Sequence, residues 1–294
     1  MKSQTFKSDF ILFCVAAIWG FAFVAQRMGM DYVGPFTFNG LRFVLGCLSL
    51  LPVIVLQRNR SNTSSDGGNI FKAGSIAGFF LFCGISLQQI GLVYTTAGKA
   101  GFITGLYVIF VPIIGLFLKG NRTSTGTWAG ALLACAGMYL LSVTKDMKIG
   151  FGDILVLFSA VCFAFHLIII GRLSNRFDTA KLSLIQCIVC AGLSLGVAGI
   201  FESFVLADIL KVAIPLLYGG VLSVGVAYSL QIYGQKNSPP SHAAIIFSLE
   251  AVFAAVGGWL ILNEILSGRA ILGCAMMLAG MLVSQLSKTG SGQA

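Results

Sequence analysis

Charge is what this sequence has least of. Only 10% of its 294 residues are Asp, Glu, Lys or Arg, while 57% are hydrophobic. A soluble domain carries about 25% charge. Water cannot cover so much hydrocarbon, so a soluble globular enzyme is excluded. Catalytic signatures are missing too: there is no paired-aspartate motif for prenyl diphosphates, no GxSxG, no HExxH and no phosphate-cradling GxxxxGKS/T. Direct ATP hydrolysis is therefore excluded, and no cofactor is called for. No cysteine falls in a loop. All eight lie inside apolar runs, and the CxxC of Cys187 and Cys190 has no second ligand pair, so it reads as packing rather than zinc. The net charge of +9 does not point to nucleic acid, because the basic residues never form a stripe interleaved with aromatics.

What is present is a series of apolar runs. Each is about 20 residues long, the length that crosses about 30 Å of hydrocarbon at 1.5 Å per residue. Ten are legible, at about 9–30, 34–56, 71–94, 97–118, 126–144, 152–171, 180–201, 212–234, 240–262 and 269–287. The connections leave no room for an extramembrane domain. Lys2 and Lys7 ahead of the first run mimic a signal peptide, but no small-residue cleavage site follows, so an uncleaved first helix is expected. With ten spans, twelve of the 19 basic residues collect on one side and six on the other, with Arg42 inside a span. That bias puts both termini in the cytoplasm. The stretch 57–69 reads as a flexible linker, and 287–294 as a disordered tail.

The chain is also written twice. Shifting it by 143 lays Ser86-Leu87-Gln88 and Gly91 on Ser229-Leu230-Gln231 and Gly234, and Ala136-Gly137-Met138 on Ala279-Gly280-Met281. From 86 to 138 there are 14 identities in 53 positions, well above chance for so apolar a composition. A shift of 144 puts Asp9 on Asp153 and Trp19 on Phe163. Each copy, 1–146 and 147–294, holds five spans. Five is odd, so the second copy enters the membrane from the opposite side. The expected fold is an all-α integral membrane protein of ten transmembrane helices in two inverted five-helix repeats, an architecture of secondary transporters, with the substrate site near the midplane between the halves. Small residues four apart, Gly74/Gly78, Gly101/Gly105, Gly126/Gly130 and Gly192/Gly196, are expected to bring helix backbones together. Pro112 and Pro215 are expected to kink the fourth and eighth spans.

Trp19-Gly20, Arg42, the segment Ser248-Leu249-Glu250-Ala251-Val252-Phe253 followed by Leu262-Asn263-Glu264, and the glycines Gly273 and Gly280 together resemble the EamA-type branch of the drug/metabolite transporter superfamily. The resemblance runs over essentially the whole chain. It implies a ten-helix inverted-repeat carrier, commonly an exporter of amino acids or other small metabolites. The chain departs from that pattern at Ala251, where proline is common, and at Asn121, where a glutamate is usual.

Ionisable groups inside a span are costly and need a reason. Glu250 falls about 15 Å into the ninth span, where a carboxylate serves a substrate ammonium or a coupling proton, or else a structural bond. Arg42 reaches the same depth and suits a substrate carboxylate or a buried pair with Glu250. The position related to Arg42 is Gln186, and the one related to Glu250 is Tyr107. His166, whose counterpart is Ala22, offers a proton or substrate contact or plain hydrogen-bonded packing. Trp19, Tyr107 and Tyr228 are candidates for the cavity wall, and the related pair Gln88 and Gln231 for gates. Lys99, Lys236 and Glu264 sit at span ends, where snorkelling suffices. The composite expectation is a carrier of small polar or amphipathic solutes in a bacterial inner membrane, exporting by alternating access, with protons as the candidate coupling ion. The competing reading, a membrane-embedded enzyme or flippase for a lipid-linked substrate, needs a cluster of carboxylates or histidines at one depth. No oligomeric state is legible.

Overall fold

The computed structural model describes residues 2–57, 67–118, 124–142, 149–263, 265 and 267–290. Among these residues the regular structure is entirely helical, as hydrocarbon demands of a chain that must satisfy its own backbone. The first half comprises α1 (Lys2–Gly29), α2 (Pro35–Gln57), α3 (Gly67–Tyr94), α4 (Ala97–Gly105), α5 (Tyr107–Phe117) and α6 (Thr125–Ser142). The second comprises α7 (Phe151–Leu173), α8 (Thr179–Phe201), α9 (Leu206–Lys211), α10 (Ala213–Leu217), a π-helical stretch (Tyr218–Val226), α11 (Ala227–Gln235), α12 (Pro240–Phe247), α13 (Glu250–Ile261) and α14 (Gly268–Gly290). Among the described residues, seven segments are long and apolar enough to cross a membrane: Phe6–Gly29, Asn69–Tyr94, Ala97–Phe117, Phe151–Leu173, Thr179–Phe201, Ala213–Gln235 and Pro240–Ile261.

Local chemistry explains the helix starts. Thr96 caps α4 by accepting from the Lys99 amide, and Asp178 caps α8 by accepting from the Lys181 amide. Glu202, far along the chain, caps α2 through the amides of Phe36 (2.9 Å) and Thr37 (2.7 Å). Two helices are interrupted at related positions. Leu106 donates to Ile103 O and Ile109 to Leu106 O; 143 residues on, Leu249 donates to Ile246 O and Val252 to Leu249 O. Each is a three-residue step, a local 3₁₀ tightening of the kind that marks a hinge inside a helix.

Every extensive helix pairing joins the two halves: α6 on α14, α3 on α7, α2 on α8 and α1 on α13. Glycine makes the closest approach possible. A Cβ on Gly130 would lie 2.6 Å from Gly280 O, and one on Gly137 would lie 2.6 Å from Gly273 O. These four glycines are two related pairs, each touching the other's counterpart.

Several expectations change. A Cβ on Gly192 or Gly196 would meet nothing within 4 Å, so this pair faces open space rather than a neighbouring helix. Pro112 lies within the continuous α5, and the fourth span is interrupted six residues earlier, at Leu106. Near Pro215 the eighth span is broken into short pieces, α10 giving way to the π-helical stretch at Tyr218. Helix α14 runs on to Gly290, past the expected start of the tail. The rest of the tail, most of the 57–69 linker, Asn121 and Glu264 lie outside the described residues.

Candidate functional site

The first-half helix α1 presents Trp19, Ala22, Phe23 and Gln26, spaced 3, 1 and 3 apart and therefore on one face. That face, with Arg42 from α2, Gln88 from α3, Thr104 from α4 and Tyr107 from α5, meets Phe163, His166 and Leu167 of α7. Ser223, Tyr228, Gln231, Phe247 and Glu250 complete the wall of one cavity. The cavity holds about 500 Å³ of empty space, of which about 50 Å³ takes the centres of water-sized groups. A metabolite-sized guest needs pockets of about 300–1,000 Å³, so the site is tight and the walls must part to admit one.

The wall is built largely from related positions. Trp19/Phe163, Ala22/His166 and Phe23/Leu167 differ by 144; Gln88/Gln231, Thr104/Phe247 and Tyr107/Glu250 differ by 143. The two N-terminal residues of the half-helices beyond the interruptions touch directly: Tyr107 OH donates to Glu250 Oε1 at 2.9 Å, with both side chains buried. Glu250 also stands in the first turn of α13, where the helix dipole favours a carboxylate.

Arg42 does not pair with Glu250; no ion pair among the described residues joins them. Its guanidinium lies 5.9 Å from the Phe38 ring centre and 5.5 Å from that of Phe43, and its buried Nε has no hydrogen-bond partner. An arginine held over aromatic faces with unused donors is ready for an anionic guest. His166 Nε2 donates to Gln186 Oε1 at 2.9 Å, which puts Gln186 behind the wall rather than in it. Trp19 packs against Tyr228 and Phe247 at 5.1 and 5.2 Å between ring centres, and its Nε1 donates to Ser223 O at 3.1 Å. Ser223 belongs to the π-helical stretch, so the wide turn supplies the acceptor that fixes the indole. Gln88 donates to Thr104 Oγ1 (3.0 Å) and Gln231 to Gln235 Oε1 (3.2 Å). Both glutamines line the same cavity.

Sequence reasoning missed Gln26, Thr104, Phe163 and Phe247. Phe163 is the counterpart of Trp19, Thr104 and Phe247 are counterparts beside the two interruptions, and Gln26 shares the Trp19 face of α1. Applying the shift to the chosen residues finds Phe163 alone; Thr104 and Phe247 are counterparts only of each other. Lys99 also differs from expectation: it is ion-paired with the buried Asp153 instead of snorkelling free.

A helical, apolar chain whose two halves wall a largely apolar cavity carrying a few polar and charged groups belongs to the class of multi-pass membrane proteins that handle small solutes. A family model, the EamA-like transporter family, matches it twice, over residues 6–143 and 150–285. The chain belongs to that family and is a multi-pass membrane transporter. It is 33% identical, over 95% of its own length and 86% of the other's, to a protein of Archaeoglobus fulgidus named an uncharacterized transporter. An Escherichia coli protein named "Probable amino-acid metabolite efflux pump" is 22% identical, over 95% of this chain and 94% of that one. A crystal structure shares the fold at TM-score 0.78 and 20% identity, covering 95% of this chain and 96% of the other.

Proposed function

We propose that the protein is a secondary carrier that exports small metabolites, amino acids or related polar and amphipathic solutes, by alternating access. In this reading ten transmembrane helices form two inverted five-helix repeats, 1–146 and 147–294, in a bacterial inner membrane with both termini cytoplasmic. Protons are the candidate coupling ion. The observation that carries the reading is the cavity wall of related positions holding one unpaired guanidinium and one carboxylate. A site on the axis relating two similar halves is what alternating access uses, because exchanging the halves' conformations moves its opening from one side to the other.

A zwitterionic guest fits the charges. Its carboxylate takes Arg42 and its ammonium takes Glu250, so neither buried charge stands alone when the cavity is filled. Trp19, Tyr107, Tyr228, Phe163 and Phe247 flank the apolar part of the guest, and His166, held by Gln186, Gln88 and Gln231 supply polar contacts. The export direction draws support from the name of the Escherichia coli relative. The test is uptake into proteoliposomes against a panel of amino acids, nucleosides and vitamins, with and without a pH gradient. Saturable flux of a zwitterion, lost in Glu250→Gln, supports the reading; flux of none of the panel overturns it.

A further inference from the structure

We propose that two side-chain contacts, the ion pair of Asp153 with Lys99 and the hydrogen bond of Asp9 with His242, are latches that hold the cavity shut at its opposite ends and open alternately. The proposal rests on the alternating-access reading above. Asp9 and Asp153 differ by 144 residues, and Lys99 and His242 by 143, so the two pairs occupy related positions. Each ties the first long helix of one half to the fourth span of the other: α7 to α4, and α1 to α12. Both are withdrawn from water, with side-chain exposures of 18% and 6% for Lys99 and Asp153, and 2% and 8% for His242 and Asp9.

They lie at opposite ends of the molecule. Asp9 is near the start of α1, beside Ser8, which bonds Asn237 ahead of α12. At the other end of α1, Phe23 and Met30 pack with Ala97, Ala100 and Val156, next to Lys99 and Asp153. The 21 residues from Asp9 to Met30 rise about 30 Å, and the cavity residues 19–26 fall between.

The helix interruptions give the latches a way to move. Lys99 and His242 ride on the short half-helices α4 and α12, which end at the 3₁₀ steps at Leu106 and Leu249. Tyr107 and Glu250 sit just beyond those steps. Swinging α4 or α12 at its step withdraws one latch while the bound-solute contacts on α5 and α13 stay. Opening orphans few groups: Asp153 keeps the Gly150 amide and the Thr95 hydroxyl, and His242 keeps Ser284. With both latches engaged the cavity is too tight for a metabolite, as the structure has it.

The test is sided labelling of the full chain carrying Ala22→Cys in the cavity wall. A membrane-impermeant maleimide is applied to whole cells or to inverted vesicles, and labelling at residue 22 is read by peptide mass spectrometry, so the eight native cysteines stay. Lys99→Ala should raise labelling from the Lys99 face on the order of tenfold and lower it from the other; His242→Ala should do the reverse. The exchanged pair Lys99→Asp with Asp153→Lys should label as wild type, and if Lys99→Ala fails to insert, Asp153→Asn breaks the same contact and should raise labelling from the same face. The latches are overturned if both single variants act on the same face, if neither changes labelling, or if the exchanged pair labels above wild type or fails to insert. The labelling needs no substrate. Sided shifts without flux of any panel solute overturn the carrier reading alone, and flux with unsided labelling overturns the latches alone.

Discussion

At position 107 the first half of the chain brings a phenol to the cavity, and at the related position 250 the second half brings a carboxylate. The two meet at 2.9 Å. The same contrast runs round the wall. Arg42 of the first half faces the cavity, while its counterpart Gln186 is turned behind His166; His166 itself stands where the first half has Ala22. Helix interruptions, helix contacts and even the glycine crossings repeat. The charged side chains of the cavity wall do not. A repeated backbone thus supplies two similar moving parts, and unequal side chains give the site between them a positive and a negative pole.

The largest effect expected from breaking that polarity is at Glu250. Glu250→Gln keeps an oxygen for Tyr107 but removes the charge, and uptake of a zwitterion in proteoliposomes should fall by about 100-fold, roughly the loss of one buried charge contact of about 3 kcal/mol. Wild-type flux would reduce the carboxylate to a structural role. Arg42→Met should cost about 10- to 100-fold, selectively for solutes with an anionic group. Moving the charge to its counterpart, Arg42→Gln with Gln186→Arg, should not restore transport, because residue 186 points at His166; recovery of flux would mean that the halves are chemically interchangeable. Tyr107→Phe leaves Glu250 without its donor and should slow uptake by about tenfold, in line with about 1–3 kcal/mol for a buried group left unsatisfied.

The smallest effects compare two glycine pairs of the same spacing. Gly130→Val forces a side chain against Gly280 O, and thermal unfolding in detergent should show a loss of about 1–3 kcal/mol. Gly192→Val meets open space and should stay within about 0.5 kcal/mol of wild type. Equal losses would mean that the α8 face is covered in the detergent-solubilised protein.

Part of this site was legible beforehand. Glu250, Arg42 and His166 stand out because ionisable groups are rare in apolar runs, and all three line the cavity. Gln186 emerged only as a counterpart under the shift, and Tyr107 both as a counterpart and as an aromatic candidate for the wall. The second histidine, His242, escaped notice beside Pro239 and Pro240 at a span end, although the shift that relates it to Lys99 is the same one. The interruption at Leu106 follows directly on Gly105, which was read only as a close-packing residue; Pro112 pointed to the wrong turn.

The amino-acid sequence by itself determined that the chain lives in a bilayer, that its backbone is helical, and that it carries two similar halves, because hydrophobic run length, the demand for internal backbone bonding and the 143-residue shift are all properties of local order. Tertiary structure alone decided which charges meet. Whether Arg42 pairs with Glu250 or lies over Phe38 and Phe43, whether Gly130 or Gly192 touches another helix, and which base Asp9 and Asp153 find all depend on how helices rotate about their axes. That rotation is fixed by packing across the two halves, over separations of more than 50 residues that no local pattern encodes.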